Sequence, residues 1–233
     1  MTDNKTDINQ EIAKRLETVW EQLPDGVELC AVSKFHPQEM IRAAYKAGQR
    51  VFGESRVQEL VQKHEELADL KDLRWNFIGH LQTNKLNALM KLNIDLIQSV
   101  DSERLLEMID RKAEEEDKIQ KVLLQVHVAK EETKFGFLPE EIEDYFHRRA
   151  FEKLRATHIS GIMGMATNTD DVERIKDDFN RLKLLFDKIR EDVEDLRGFD
   201  ILSMGMSDDY HIAIECGSDM VRIGSAIFGP RNY

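Results

Sequence analysis

The sequence has only two cysteines in 233 residues, and neither belongs to a C-x-x-C pair. A disulfide scaffold, a thiol redox couple and a cysteine-built metal centre are therefore excluded, and Cys30 and Cys216 are expected to be reduced packing residues. Proline is scarce too: four, spread along the chain with no Ser/Gly tract between them, so no linker marks a domain boundary. No run approaches the roughly 20 apolar residues of a membrane span. The opening MTDNKTDINQEIAKRLE lacks the basic-then-apolar order of a secretory signal, so a cytoplasmic protein is expected. Positive charge is in deficit, with 33 Lys and Arg against 45 Asp and Glu. The resulting net charge of −12 repels nucleic acid and anionic lipid, so any anionic ligand must be held by local groups.

What is present is a globular composition, 41% hydrophobic and 33% charged, with enough apolar material for a sizeable core. Ile8, Ile12, Leu16, Val19, Trp20 and Leu23 recur at helical spacing, predicting an amphipathic helix that stops before Pro24-Asp25-Gly26. After it, short β-branched or apolar runs alternate with helical stretches. The runs are Glu28 to Ser33, Arg50 to Phe52, Arg74 to Ile78, Ile94 to Val100, Lys121 to Val128, Thr157 to Met163, Phe199 to Met204 and Met220 to Phe228. Strict alternation implies right-handed crossovers and a parallel sheet. Eight units favour a closed (β/α)8 TIM barrel over an open sheet, and no GxGxxG follows the first run. The expected organisation is a helix over residues 1–24 packed on a single barrel of residues 25–233.

In such a barrel the working site lies at the C-terminal strand ends. The first run stops at Lys34, which shares a face with Cys30 and Val32. A partly desolvated lysine is a nucleophile that forms a Schiff base with an aldehyde. The other reading is a packed stem whose ammonium snorkels to the rim or pairs with a carboxylate such as Glu54. The seventh run ends in Leu202-Ser203-Met204-Gly205-Met206-Ser207 and the eighth carries Arg222-Ile223-Gly224-Ser225. Small residues in these two loops suit a phosphate cup, or simply turn geometry. Closure makes the eighth strand the neighbour of the first, so Lys34 is expected beside Gly224 and Ser225. A reactive lysine beside a phosphate cup suits a phosphorylated aldehyde, above all pyridoxal 5′-phosphate. Arg222 shares parity with Gly224. It would lie deeper and donate to the pyridine nitrogen, leaving that nitrogen unprotonated, unless it is salt-bridged within the barrel.

Ala31-Val32-Ser33-Lys34, Phe52-Gly53-Glu54, Phe77 through Lys85, Lys130 through Gly136, Ser203 through Asp208 and Val221-Arg222-Ile223-Gly224 together resemble the pyridoxal phosphate homeostasis proteins, from about Leu16 to the C-terminus. The resemblance implies a fold-type III barrel like the N-terminal domain of alanine racemase. It implies Lys34 as the Schiff-base residue, Arg222 as the pyridine partner, and Ser207, Gly224 and Ser225 around the phosphate, with Ser203 and Met206 also at the cofactor. Two positions depart from the family: Ser55 and His127 each stand where asparagine is usual.

Racemisation on this scaffold needs a second acid or base opposite the lysine. In the racemases that the resemblance brings to mind, that base is a tyrosine of a further domain, and no such domain is expected here, where the sequence reads Phe228-Gly229-Pro230-Arg231-Asn232-Tyr233. Tyr45, Tyr145 and Tyr210 fall in predicted helices or helix starts. The expectation is a protein that holds pyridoxal phosphate and keeps vitamin B6 and amino-acid pools in balance without substantial turnover. The alternatives are a small racemase or other pyridoxal phosphate enzyme, with His80, His127 or His211 as candidate bases, and a barrel aldolase using Lys34 on a sugar phosphate. Expected partners are the cofactor and dependent apoenzymes as recipients, with no nucleic acid or membrane, and the chain is expected to be a monomer or weak dimer. Met163, Met165, Met204 and Met206 are expected to fill core, and Trp75 to pack between barrel and helices.

Overall fold

A computed structural model describes residues 3–130, 135–193 and 196–230. The strands are β1 Glu28–Val32, β2 Val51–Glu54, β3 Arg74–Phe77, β4 Leu96–Val100, β5 Gln120–Val126, β6 Thr157–Gly164, β7 Ile201–Met206 and β8 Met220–Ile223. The helices are α1 Asp3–Trp20, α2 Gln38–Ala47, α3 Val57–Glu66, α4 Leu86–Met90, α5 Glu103–Glu115, α6 Pro139–His147, α7 Val172–Asp192, α8 Tyr210–Glu215 and α9 Ser225–Phe228. All neighbouring strands pair parallel, and β8 closes on β1 to complete the (β/α)8 barrel.

The strand parity that fills such a barrel is visible in what each residue packs against. Cys30, Val51, Leu96, Leu123, Met163 and Met220 form one interior cluster. Leu29, Ala31, Phe52, Trp75, Phe77, Ile97, Val122, Leu124, Ile162, Val221 and Ile223 face outward into the larger core shared with the helices. Trp75 accordingly packs between sheet and helices, with its ring 6.2 Å from that of Phe52. Local signals set the helix ends. Ser102 caps α5 by accepting from Leu105 N, Asp171 caps α7 through Glu173 N and Arg174 N, and α2 stops at left-handed Gly48. The preface helix α1 buries Ile12, Leu16 and Val19 and lies against α2 and α9.

Two expectations need correction. The run Met220 to Phe228 is not one strand: it breaks at Gly224, and Ser225–Phe228 is helical, with both Ile227 N and Phe228 N donating to Gly224 O. A short apolar run has no period that tells strand from buried helix, and Ile227 and Phe228 are buried either way. Met206, expected to fill core with the other three methionines, is exposed, whereas Met163 and Met204 are buried and Met165 packs against the interior cluster. Among the described residues no helix is long and apolar enough to cross a membrane.

Candidate functional site

The C-terminal mouth between β1 and β8 gathers the predicted residues. Their pairing sets Cys30 opposite Arg222 and Ala31 opposite Ile223. One residue further on, Val32 lies against Gly224, where a side chain would be crowded: a Cβ there would stand 3.0 Å from Val32 O and 3.3 Å from Val32 Cβ. Lys34 follows in the turn just above, half-buried. The carboxylate weighed as its partner is committed elsewhere. Glu54 points outward from β2, and its Oε1 accepts from Ser33 Oγ at 2.6 Å and Lys63 Nζ at 2.7 Å.

Between β7 and β8 the ladder slips by one residue: Ser203 pairs with Met220 but Met206 with Arg222. Gly205 absorbs the extra residue at φ +93°, where a Cβ would sit 2.6 Å from Ala213 Cβ. The slip carries Ser207 over the end of β8, and its Oγ accepts from Gly224 N at 3.2 Å. Met206 is exposed at the rim while its N–H donates to Asp209 Oδ1 at 2.6 Å. Ser207 and Gly224 are half-buried and Ser225 exposed, so the two loops form an accessible shelf of small groups next to Lys34.

Below the shelf, Arg222 is buried inside the barrel at 4% exposure. Its Nη1 donates to Ser203 O at 3.0 Å and Ser203 Oγ at 2.7 Å, and its Nη2 to Gly164 O at 3.0 Å. The salt bridge considered for it does not form among the described residues. Three of its five N–H groups are spent on neutral oxygens, leaving Nε–H and one Nη2–H. Burial lowers the guanidinium's pKa to about 10, which still leaves it charged near neutrality. The same burial pushes the Cys30 thiol up to about 12, so it is inert. Ser203 is fully buried, and its hydroxyl donates to Gln98 Oε1 at 2.7 Å as it accepts from Arg222. It is a support for Arg222 set back from the open mouth.

Gln98 and Asn76 were not anticipated. Both face inward, and both donate toward Met220 Sδ, at 3.1 Å and 3.8 Å. Their signal was a polar residue at inward parity within an apolar run. On the opposite rim, His80 Nδ1 lies 2.9 Å from Asp101 Oδ2 and its ring stacks on Phe135 at 3.8 Å. His127 lies one residue past β5 in a groove with Arg174 and Arg181, its Nε2 buried without a partner. His211 is exposed on α8 against the Tyr210 ring. Residues 131–134 of the Lys130-to-Gly136 motif, and Tyr233, lie outside the described residues. A separate groove of about 690 Å³ runs between α6 and α7 on the outer flank and is bridged by the Lys188–Glu143 ion pair, away from this chemistry. Among the described residues no group of acidic, histidine or cysteine side chains could hold a metal.

The comparisons define a class first. A family model described as the alanine racemase N-terminal domain matches residues 9–232. Alanine racemase of Clostridium difficile 630 shares the fold at a TM-score of 0.74 and 18% identity, covering 96% of this chain and 57% of that one. Much nearer is PipY of Synechococcus elongatus PCC7942, solved with PLP bound, at a TM-score of 0.86 and 37% identity over 94% of this chain and 100% of that one. The pyridoxal phosphate homeostasis protein of Aquifex aeolicus is 37% identical, covering 95% of this chain and 96% of its own. That of Helicobacter pylori strain J99 is 40% identical, covering 87% of each. The chain belongs to the pyridoxal phosphate homeostasis protein family.

Proposed function

We propose that this chain binds pyridoxal 5′-phosphate at the mouth between β1 and β8 and serves in keeping vitamin B6 and linked amino-acid pools in balance. The observation that carries the reading is the register of β8 against β1, which brings a half-buried lysine, a shelf of small polar groups and a buried guanidinium with spare donors to one place. The fit is chemical as well as spatial. Gly224 leaves room where a side chain would crowd Val32, and Arg222 offers donors that no direct ion pair occupies among the described residues.

When bound, the cofactor supplies an aldehyde that an amine can hold covalently and a ring that can withdraw electrons. Lys34 would be that amine. Ser207, Ser225 and the Gly224 main chain would hold the phosphate by short-range hydrogen bonds, as the net charge of −12 requires. Arg222 would donate to the pyridine nitrogen and, remaining charged itself, would keep that nitrogen unprotonated; Ser203 and Gln98 hold it in place. The ring is then a weak electron sink, which favours holding the cofactor over turning substrates over.

The described tyrosines support a carrier over a two-base racemase. Tyr45 Oη is bonded to Asp72 and Tyr210 Oη to Gln22, while Tyr145 is buried in α6 with its ring edge-on to Phe146. Delivery to cofactor-dependent apoenzymes in the cytoplasm, by a monomer or weak dimer, completes the reading. Purified protein should absorb in the visible, Lys34→Ala should abolish that band, and borohydride should fix the pyridoxyl mass on Lys34. A label scattered over surface lysines would overturn it, and rapid exchange of amino-acid α-hydrogen with deuterated solvent would favour an enzyme instead.

A further inference from the structure

Lys34 sits in a turn whose two flanking residues are both anchored to β2 and α3. The turn closes with His36 N donating to Ser33 O at 3.1 Å, and Phe35 adopts φ +66°, a conformation an aromatic residue rarely takes unaided. While the His36 ring packs 5.2 Å from that of Phe228, the hydrogen bonds to the residues beside Lys34 come from β2 and the front of α3. Ser33 N donates to Gly53 O at 3.0 Å, Ser33 Oγ to Glu54 Oε1 at 2.6 Å, and Lys63 Nζ donates to Ser33 O at 2.8 Å. Phe35 N donates to Glu59 Oε1 at 2.6 Å, and the Arg56 guanidinium lies 4.5 Å above the Phe35 ring. Lys63 joins these anchors, with Nζ 2.7 Å from Glu54 Oε1 and 2.6 Å from Glu59 Oε1. Its three ammonium hydrogens are thereby all used.

Both residues flanking Lys34 are thus tied to one cluster in which Glu54 and Lys63 are buried and Glu59 is partly buried. Such a cluster is a poor choice if stability is the aim, because well-packed apolar residues of similar volume often do as well or better. It is a good choice for orientation, since each bond has a fixed direction. We infer that Glu54, Lys63 and Glu59 form a positioning device for Lys34, holding its stem aimed at the mouth so that the amine meets an incoming aldehyde in a productive geometry. This rests on the reading of Lys34 as the cofactor's amine. Capture joins the Lys34 nitrogen to the aldehyde carbon, and the aldehyde oxygen leaves as water with both amine hydrogens.

The test uses the full chain freed of cofactor, pyridoxal 5′-phosphate as probe, and borohydride with peptide mapping to report capture at Lys34 against surface lysines. Glu54→Gln/Lys63→Met replaces the buried charges with neutral groups of similar size and is expected to fold, yet to capture at Lys34 roughly tenfold or more slowly while surface labelling is unchanged. Should it not fold, Glu59→Gln, which loosens only the Phe35 N–H anchor and the Lys63 contact, is expected to slow capture at Lys34 in the same sense. A folded variant that captures at the wild-type rate would overturn the inference. Hydrogen exchange at the Phe35 and His36 amides separates the two claims. Faster exchange in the variants with no wild-type label on Lys34 would leave the brace standing and remove the cofactor site.

Discussion

Arg222 is a buried cation that makes no direct ion pair among the described residues, although the Asp209 carboxylate acts on it at longer range, and so its immediate surroundings must solvate it. Two carbonyls and the Ser203 hydroxyl do this, and Gln98 in turn fixes that hydroxyl. Replacing Gln98 by Leu would strand the Ser203 hydroxyl's proton in the barrel, and a destabilisation of about 1–3 kcal/mol is expected by urea unfolding. A second prediction concerns pH. Burial pushes the Glu54 carboxyl up to about 7 from its usual 4.5, against the pull of Lys63 and Ser33, while Glu59 adds a like charge. Its other oxygen, Oε2, is buried without a hydrogen-bond partner. A carboxyl with a raised folded-state pKa binds its proton more tightly folded than unfolded, so its contribution to stability is full below about pH 4.5 and lost as pH rises to about 7. Glu54→Gln should therefore gain on the wild type by an amount on the order of 2 kcal/mol between pH 4.5 and 7.5, read from denaturant midpoints; parallel curves would refute the raised pKa. At this scale the sequence was only partly legible. Lys34, Arg222 and the small residues of the last two loops stand out at strand ends, but whether Glu54 faces Lys34 or Lys63 depends on which side of β2 it leaves. Lys63 and Glu59 read as an ordinary charged helix face until α3 is laid over the β1 turn.

At the level of elements, the site depends on a one-residue slip between β7 and β8. Gly205→Ala would require a side chain at φ +93° and 2.6 Å from the Ala213 methyl. The expected cost is about 1–3 kcal/mol, measured by thermal unfolding, with weakened cofactor retention because Ser207 no longer reaches Gly224 N. Unchanged retention in the folded variant would separate Ser207 from the phosphate. The slip was not legible, since a glycine among small residues signals a turn as readily as a bulge. Nor was the break at Gly224, where Ser225–Phe228 turns helical although its residues continue the apolar run of β8. That short helix serves the preface: Arg15 of α1 donates to Ile227 O, tying the end of the barrel to its beginning. Periodicity found the long elements because they repeat it several times, and it missed features one residue wide because they contain none.

For the molecule as a whole, the barrel was legible because eight alternations of strand and helix are a global pattern that local errors do not disturb. Closure then converts sequence distance into contact, and nearly 190 residues separate Lys34 from Gly224 although β1 and β8 are adjacent. Charge is the other global property, and it bears on how fast the site fills. The chain carries −12 and the ligand proposed for it is an anion, so the long-range force between them is repulsive. Attraction begins only within hydrogen-bond range of the loop N–H and hydroxyl groups. The screening length is about 30 Å at 0.01 M salt and about 10 Å at 0.1 M, which reaches across the whole molecule in the first case and only the mouth in the second. Raising salt through that range should therefore speed the capture of pyridoxal phosphate several-fold in stopped-flow absorbance, with little change in the rate of release. Capture that slowed with salt would mean that Arg222 and the cations near the mouth outweigh the acidic surface, and the binding of the phosphate would then be steered from a distance instead of being recognised on contact.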